Sequence, residues 1–179
     1  FKAWHEVRGY PHPLGYTIFI RDVTDERAAH VARLDIQRNL ELARSINQRI
    51  FDTSQDLILV VDRKGVFLRV SPSSAAILGI PPEDMIGRSA ADFIVAGDLE
   101  STREEMRLAR RGRRIRNFDC RYRHKDGREV PLAWMGVWSE AEEQHFFIGR
   151  DMTERLAAEE RLRHAQRLES VGQLTGGIA

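Results

Sequence analysis

The spacing of apolar positions changes several times along the chain. Across residues 24–51 the positions Ala29, Ile36, Leu40, Ala43, Asn47 and Ile50 follow steps of four and three once Arg33 takes a seam place, predicting a long helix with a heptad stripe. Asn47 would fix register in a parallel dimer, and the same stripe would also suit an amphipathic helix lying on its own domain. From Leu57 the period becomes two. Leu57-Ile58-Leu59-Val60-Val61 reads as a strand buried on both faces, with a turn at 62–65 and a hairpin partner at 66–70. Residues 72–112 mix short helical pieces with the breakers Pro72, Gly79, Pro81, Pro82, Gly87 and Gly97, then end in a longer helix over 98–111. Phe118, Cys120 and Tyr122 alternate with Asp119, Arg121 and Arg123, and Lys125-Asp126-Gly127 signals a hairpin into a strand over 130–138. A last strand follows at 144–150. The order is two strands, a helical insert, then three strands, which is an α+β pattern.

A final helix begins near Thr153. Its apolar residues Leu162, Ala165, Leu168, Val171 and Leu174 recur every third position and are followed by Ile178. Steps of three drift by about 60° each around a helix, so a register break is expected, with Gly172 and Gly176-Gly177 weakening the helix locally.

Self-comparison adds a repeat. Phe19-Ile20-Arg21-Asp22-Val23-Thr24 is similar to Phe147-Ile148-Gly149-Arg150-Asp151-Met152-Thr153, and Phe1-Lys2-Ala3-Trp4-His5-Glu6-Val7 to Pro131-Leu132-Ala133-Trp134-Met135-Gly136-Val137. The two offsets differ by one residue. Residues 1–23 then read as the last hairpin of a preceding copy, 24–51 as a helical connector, 52–152 as a complete copy and 153–179 as the outgoing helix. An isolated hairpin is marginal in water. Residues 1–23 are expected to be poorly ordered or paired with something, and ordered, unpaired, exposed strands there would count against the repeat. Each copy ends in Asp-x-Thr with an acidic residue three after the Asp (Asp25, Glu154), a capping-box type of helix start.

Charge narrows the partners. Lys plus Arg number 28 and Asp plus Glu 27, a net +1, so no global field points to nucleic acid or an anionic membrane. Cys120 is the single cysteine, which excludes an intrachain disulfide and suits a reducing, cytoplasmic setting. The longest apolar run is far shorter than the ~18–20 residues of a membrane helix. The chain opens on Phe1, so it is expected to be a piece of a longer protein, with an upstream membrane anchor left open.

The region from about Phe51 to Thr153 resembles a PAS domain, carried by Leu57-Ile58-Leu59-Val60-Val61-Asp62, Ser71-Pro72-Ser73-Ser74-Ala75-Ala76-Ile77-Leu78-Gly79, Pro82-Glu83-Asp84-Met85-Ile86-Gly87, Lys125-Asp126-Gly127 and Arg150-Asp151-Met152-Thr153. The resemblance implies a PAS fold: a five-stranded antiparallel sheet with short helices on one face over a small pocket, here flanked by long N- and C-terminal signalling helices. Family members usually carry Asn where this chain has Ser71. The stretch from Ala165 to Ala179 resembles the start of the dimerisation and phosphoacceptor helix of a sensor histidine kinase, whose phosphorylated His would come just after Ala179. His164 lies too early for that role. The resemblance implies a parent ATP-dependent protein-histidine kinase using ATP and Mg²⁺, dimeric, with a response regulator receiver domain as partner. The fragment itself is expected to be non-catalytic.

Ligand chemistry follows from which residues are present. Residues 52–123 contain no His, while His124 and His145 fall at strand ends as exposed or satisfied side chains, which argues against haem. No Cys lies in the short helix near 88–93, where a photoactive flavin domain would carry one. Cys120 reads as a buried structural thiol. Phe67, Phe93, Phe118 and Trp134 are candidate pocket residues, with Phe146 a further core candidate; the alternative is that they fill the core. Arg110, Arg111, Arg113, Arg114 and Arg116 read as a solvated helix end and not as a nucleic-acid patch, since no interleaved aromatics accompany them. For signal transmission the candidates are Arg150, Asp151 and Thr153, with Asp22 and Thr24 as their counterparts. Asp151 is expected to cap the helix while accepting from an Arg. Three functions remain: a ligand-gated sensor of a kinase, a ligand-free PAS dimerisation spacer, or a PAS module with another output such as a nucleotide cyclase.

Overall fold

The computed structural model describes residues 3–175. Phe1 and Lys2, which open the repeat match, and Gly176 to Ala179, which close the phosphoacceptor-helix resemblance, lie outside the described residues, as do the side chains of Val171 and Leu174. The chain divides into two compact units, Phe1–Arg49 and Ile50–Ala179.

In the first unit β1 (His5–His12) and β2 (Gly15–Asp22) form an antiparallel pair, and α1 (Thr24–Thr53) begins two residues later. The strands of this hairpin pair only with each other among the described residues, and its apolar Val7, Ile18 and Ile20 are exposed. That exposure counts against the repeat. The junction counts for it. Asp22 opposes His5 and Val23 N donates to the Trp4 carbonyl (2.8 Å), just as Asp151 opposes Leu132 and Met152 N donates to the Pro131 carbonyl (2.9 Å). The register corrects the tryptophan match. Trp4 stands where Pro131 does and not at Trp134, because the hairpin loop is Pro13-Leu14 in one case and residues 140–143 in the other. Along α1 no side chain is buried, and Val31, Leu34, Ile36, Leu40, Leu42, Ile46 and Ile50 are all half exposed or more.

The second unit opens with β3 (Leu57–Asp62) and β4 (Phe67–Val70). Asp62 Oδ1 accepts from Lys64 N and Val66 N (both 2.8 Å), and Gly65 at φ +87° closes the turn in a conformation that favours glycine. Then come α2 (Ser73–Leu78), three 3₁₀ turns (Pro82–Asp84, Ala90–Asp92, Ala96–Asp98) and α3 (Leu99–Arg110). Strands β5 (Ile115–Arg123), β6 (Glu129–Ser139) and β7 (Gln144–Asp151) complete an antiparallel sheet of order β4-β3-β7-β6-β5, and α4 (Thr153–Thr175) leaves from β7. The helix runs unbroken through Gly172, so the expected register break leaves no interruption in its backbone.

One sheet face carries the core. Leu57, Leu59 and Val61 of β3, Cys120 and Tyr122 of β5, and Leu132 and Trp134 of β6 point to Leu78, Met85, Phe93 and Ile94 from the covering segments. In β5 the ladder jumps from Ile115↔Gly136 to Phe118↔Trp134, so Arg116 and Asn117 (φ +50°) form a bulge opposite Met135. The extra residue turns both Ile115 and Phe118 to the core side. Phe146 departs from its core expectation: with Met135, Val137 and Ile148 it lies on the exposed face, since residues of β7 alternate and His145 and Phe147 take the inner positions.

Candidate functional site

The inner sheet face and α3 enclose a cavity of about 30 Å³, lined by Leu59 and Val61 of β3, Thr102, Glu105 and Met106 of α3, and Cys120, Tyr122, Trp134 and Phe147 of the last three strands. Two of the four pocket candidates, Phe118 and Trp134, are among its walls. Phe67 and Phe93 are buried elsewhere in the core, packed edge-on at 5.6 Å. A volume of this size holds about one or two waters. The walls are apolar apart from the Thr102 hydroxyl, 3.4 Å from Cys120 Sγ, and Glu105, which pairs with Arg113. Burial pushes the Cys120 thiol up to about 11 and raises the Tyr122 phenol too, so neither supplies an anion near neutral pH. The indole N–H of Trp134 is buried without a partner among the described residues.

The position of α3 over the cavity is set by the residue just before it. The Asp98 carboxylate accepts Arg121 N (2.8 Å), Nε (2.9 Å) and Nη2 (2.7 Å), clamping the start of α3 to β5. The Arg121 side chain holds the Asp98 carboxyl below the usual carboxylate range. At the other end Arg110 Nη1 lies 3.3 Å from His145 Nε2. A guanidinium only donates, so Nε2 accepts and the ring proton sits on Nδ1, which is buried without a partner among the described residues. His145 corrects the expectation of an exposed or satisfied strand-end side chain. It is fully buried on the inner face, stacked on Phe147 and tilted against Trp138 at 4.5 Å.

Burial, helped by Arg110, lowers the His145 pKa from 6.5 to about 4. The unfolded chain therefore binds this proton first as pH falls. The stability contributed by neutral His145 is complete above pH 6.5 and is lost between about 6.5 and 4, by about 3 kcal/mol in total. Urea unfolding followed from pH 7 to pH 4 should show this fall in the natural chain and a shallower one in His145→Phe; parallel curves would show that His145 is not the group responsible.

The second constellation lies where strands become helices. Asp151 Oδ1 accepts from Thr153 N (2.8 Å) and Thr153 Oγ1 (2.5 Å). Asp22 Oδ1 does the same for Thr24 N (2.9 Å) and Thr24 Oγ1 (2.5 Å), and those two bonds lower the Asp22 pKa. The Asp two residues ahead of the Thr thus holds each helix start. Arg150 is not the partner of Asp151. It reaches Asp56, with Nε 3.2 Å from Oδ1 and Nη2 3.1 Å from Oδ2. Asp56 sits just before β3, and β3 lies beside β7 with Leu57 opposite Gly149. No local sequence signal marks Asp56, because its partner is brought in by strand pairing.

Comparison with known proteins decides what this arrangement is. The PAS fold family profile matches residues 51–157. The chain belongs to the PAS fold family. A curated relative, sporulation kinase E of Bacillus subtilis, is 29% identical over 137 residues, which is 74% of this chain and 18% of the relative. The chain thus spans 18% of that relative's length. Among solved structures, the PAS domain of an HTR-like protein from Haloarcula marismortui has 25% identity and a TM-score of 0.54 over 65% of this chain and 98% of its own. The PAS domain of a Colwellia psychrerythraea protein has 25% identity and a TM-score of 0.56 over 63% and 98%. A domain of a sensory box sensor histidine kinase/response regulator from Geobacter sulfurreducens, at 15% identity and a TM-score of 0.54 over 63% and 96%, shares the fold. The five-stranded antiparallel PAS sheet expected from the sequence is the one observed. No helix among the described residues is long and apolar enough to cross a membrane.

Proposed function

We propose that this chain is the signal-transmitting PAS region of a sensor histidine kinase in a two-component phosphorelay. The observation that carries this reading is the last PAS strand running into α4 through one capped residue pair, Asp151 and Thr153, so that a change in β7 alters the direction of the helix. The kinase relative and the resemblance of the Ala165 to Ala179 stretch to a phosphoacceptor helix support a kinase as the output. In the parent protein ATP with Mg²⁺ would phosphorylate a His beyond Ala179, and the phosphoryl group would pass to a receiver-domain Asp. Residues 1–23 would end a preceding PAS-like unit, and the repeated Asp22–Thr24 junction supports that assignment.

The chain acts as a homodimer through α1. A 30-residue helix without one buried side chain and with seven half-exposed large apolar residues needs a partner, and the heptad stripe with Asn47 suits a second copy in parallel. Sedimentation velocity should give a dimer. Leu40→Lys should raise its dissociation constant roughly 100-fold, from ~1.5 kcal/mol of lost apolar burial in each chain. A monomeric natural chain would overturn this reading. The small cavity favours a second reading as well, in which the domain relays an upstream signal and retains no ligand. Native mass spectra of the same sample separate the two by the presence or absence of added mass on the dimer.

A further inference from the structure

The sheet brings the entry to β3 against the end of β7. Leu57 of β3 pairs with Gly149 of β7 in an antiparallel ladder, which sets Asp56 beside Arg150. Asp56 is the node between the two strands. Its backbone carbonyl accepts the hydroxyls of Ser54 and Ser73 (2.9 Å each), using both lone pairs, while its carboxylate takes Arg150 through two parallel bonds. Ser73 Oγ is 2.6 Å from Ser71 Oγ, and the fully buried Ser71 accepts Ile58 N (2.8 Å) and returns its own N–H to the Ile58 carbonyl (2.9 Å). A short chain of hydrogen bonds thus joins the entry to β3, the start of α2 and the exit from β7. None of Ser54, Asp56, Ser71, Ser73 or Arg150 lines the core cavity.

We propose that the Asp56–Arg150 pair, seated on Ser71 and Ser73, couples the end of α1 directly to the start of α4, so that an upstream signal can cross this domain without passing through its cavity. This rests on the reading of α1 and α4 as incoming and outgoing helices. Asp56 and Arg150 are positioning residues. The departure at Ser71 acquires a use: a short hydroxyl satisfies Ile58 N and still reaches Ser73, which in turn secures the Asp56 carbonyl.

Amide hydrogen exchange on the whole chain tests the coupling, comparing the natural protein with Arg150→Gln, Asp56→Asn and the reversed pair Asp56→Arg/Arg150→Asp. Arg150→Gln, a change on β7, should speed exchange roughly fivefold in residues 54–58 as well as in 150–156, the scale of a lost surface ion pair. It should leave β5, which carries Cys120 and Tyr122 of the cavity wall, unchanged. Asp56→Asn should produce the same two-sided effect, and the reversed pair should restore protection at both junctions. Exchange that rises only around the substituted residue, or that rises equally in β5, would overturn the proposal. Sedimentation of the same variants keeps the two readings apart: a dimer with uncoupled junctions defeats this inference alone, and a monomer defeats the dimeric relay.

Discussion

Trp134→Ala should lower the unfolding free energy of the PAS unit by roughly 3–5 kcal/mol, the range for removing a buried aromatic. The indole is buried on the inner face of β6, with Phe147 edge-on at 6.0 Å and Tyr122 at 5.3 Å, and it forms a wall of the cavity. Truncation would enlarge an existing void, and voids cost in proportion to the volume left unfilled. One contribution acts the other way. The indole N–H is already buried without a partner among the described residues, so its removal returns part of a desolvation cost of about 1–3 kcal/mol. Trp134→Phe keeps a ring and deletes only that N–H together with some volume, so its loss should stay below ~1.5 kcal/mol. Urea denaturation of the three proteins checks the order, and equal losses for Phe and Ala would show that the ring makes no packing contribution.

Gly149→Val should cost roughly 3 kcal/mol for the reciprocal reason. A side chain at Gly149 would meet Trp134 Cζ3 at 2.6 Å and Cη2 at 2.7 Å, closer than real carbon atoms approach. Gly149 has no positive φ, so the cost is steric and not conformational. It follows that the two substitutions are coupled. With Trp134 reduced to Ala the valine has room, and the double variant should be less destabilised than the sum of the singles by roughly 1–3 kcal/mol. Strict additivity would mean that the indole can move aside, against the close packing seen here. This glycine also lies one residue before Arg150, so a valine that displaces β7 should disturb the Asp56 pair, visible as faster exchange at 54–58.

Much of this was legible from one dimension. Period-two runs, Gly65 and Asp126-Gly127 turn signals and the breaker-rich insert placed four strands of the sheet to within a residue, because those signals depend on neighbours in sequence, while β5 starts three residues before Phe118, ahead of the bulge that breaks its alternation. The Asp-x-Thr helix starts were equally legible, since an Asp reaching a Thr two residues on is a local bond. Phe146 was misplaced, as one residue of parity decides whether a strand side chain enters the core. The match of Trp4 to Trp134 failed because likeness of residue type carries no register, which the two loop lengths set.

What the sequence by itself determined is the class of fold, the order of its elements, the apolar stripe of α1 and the capped junctions, all consequences of periodicity and of bonds spanning a few residues. Only the tertiary structure decided that Arg150 belongs to Asp56, that His145 is buried against Arg110, and that Thr102, Glu105 and Ile115 join Trp134 around so small a cavity. The first follows from β7 inserting between β3 and β6, and the other two from α3 packing over the inner sheet face; in each case the partners come from distant parts of the chain, and no local pattern encodes which side chains meet.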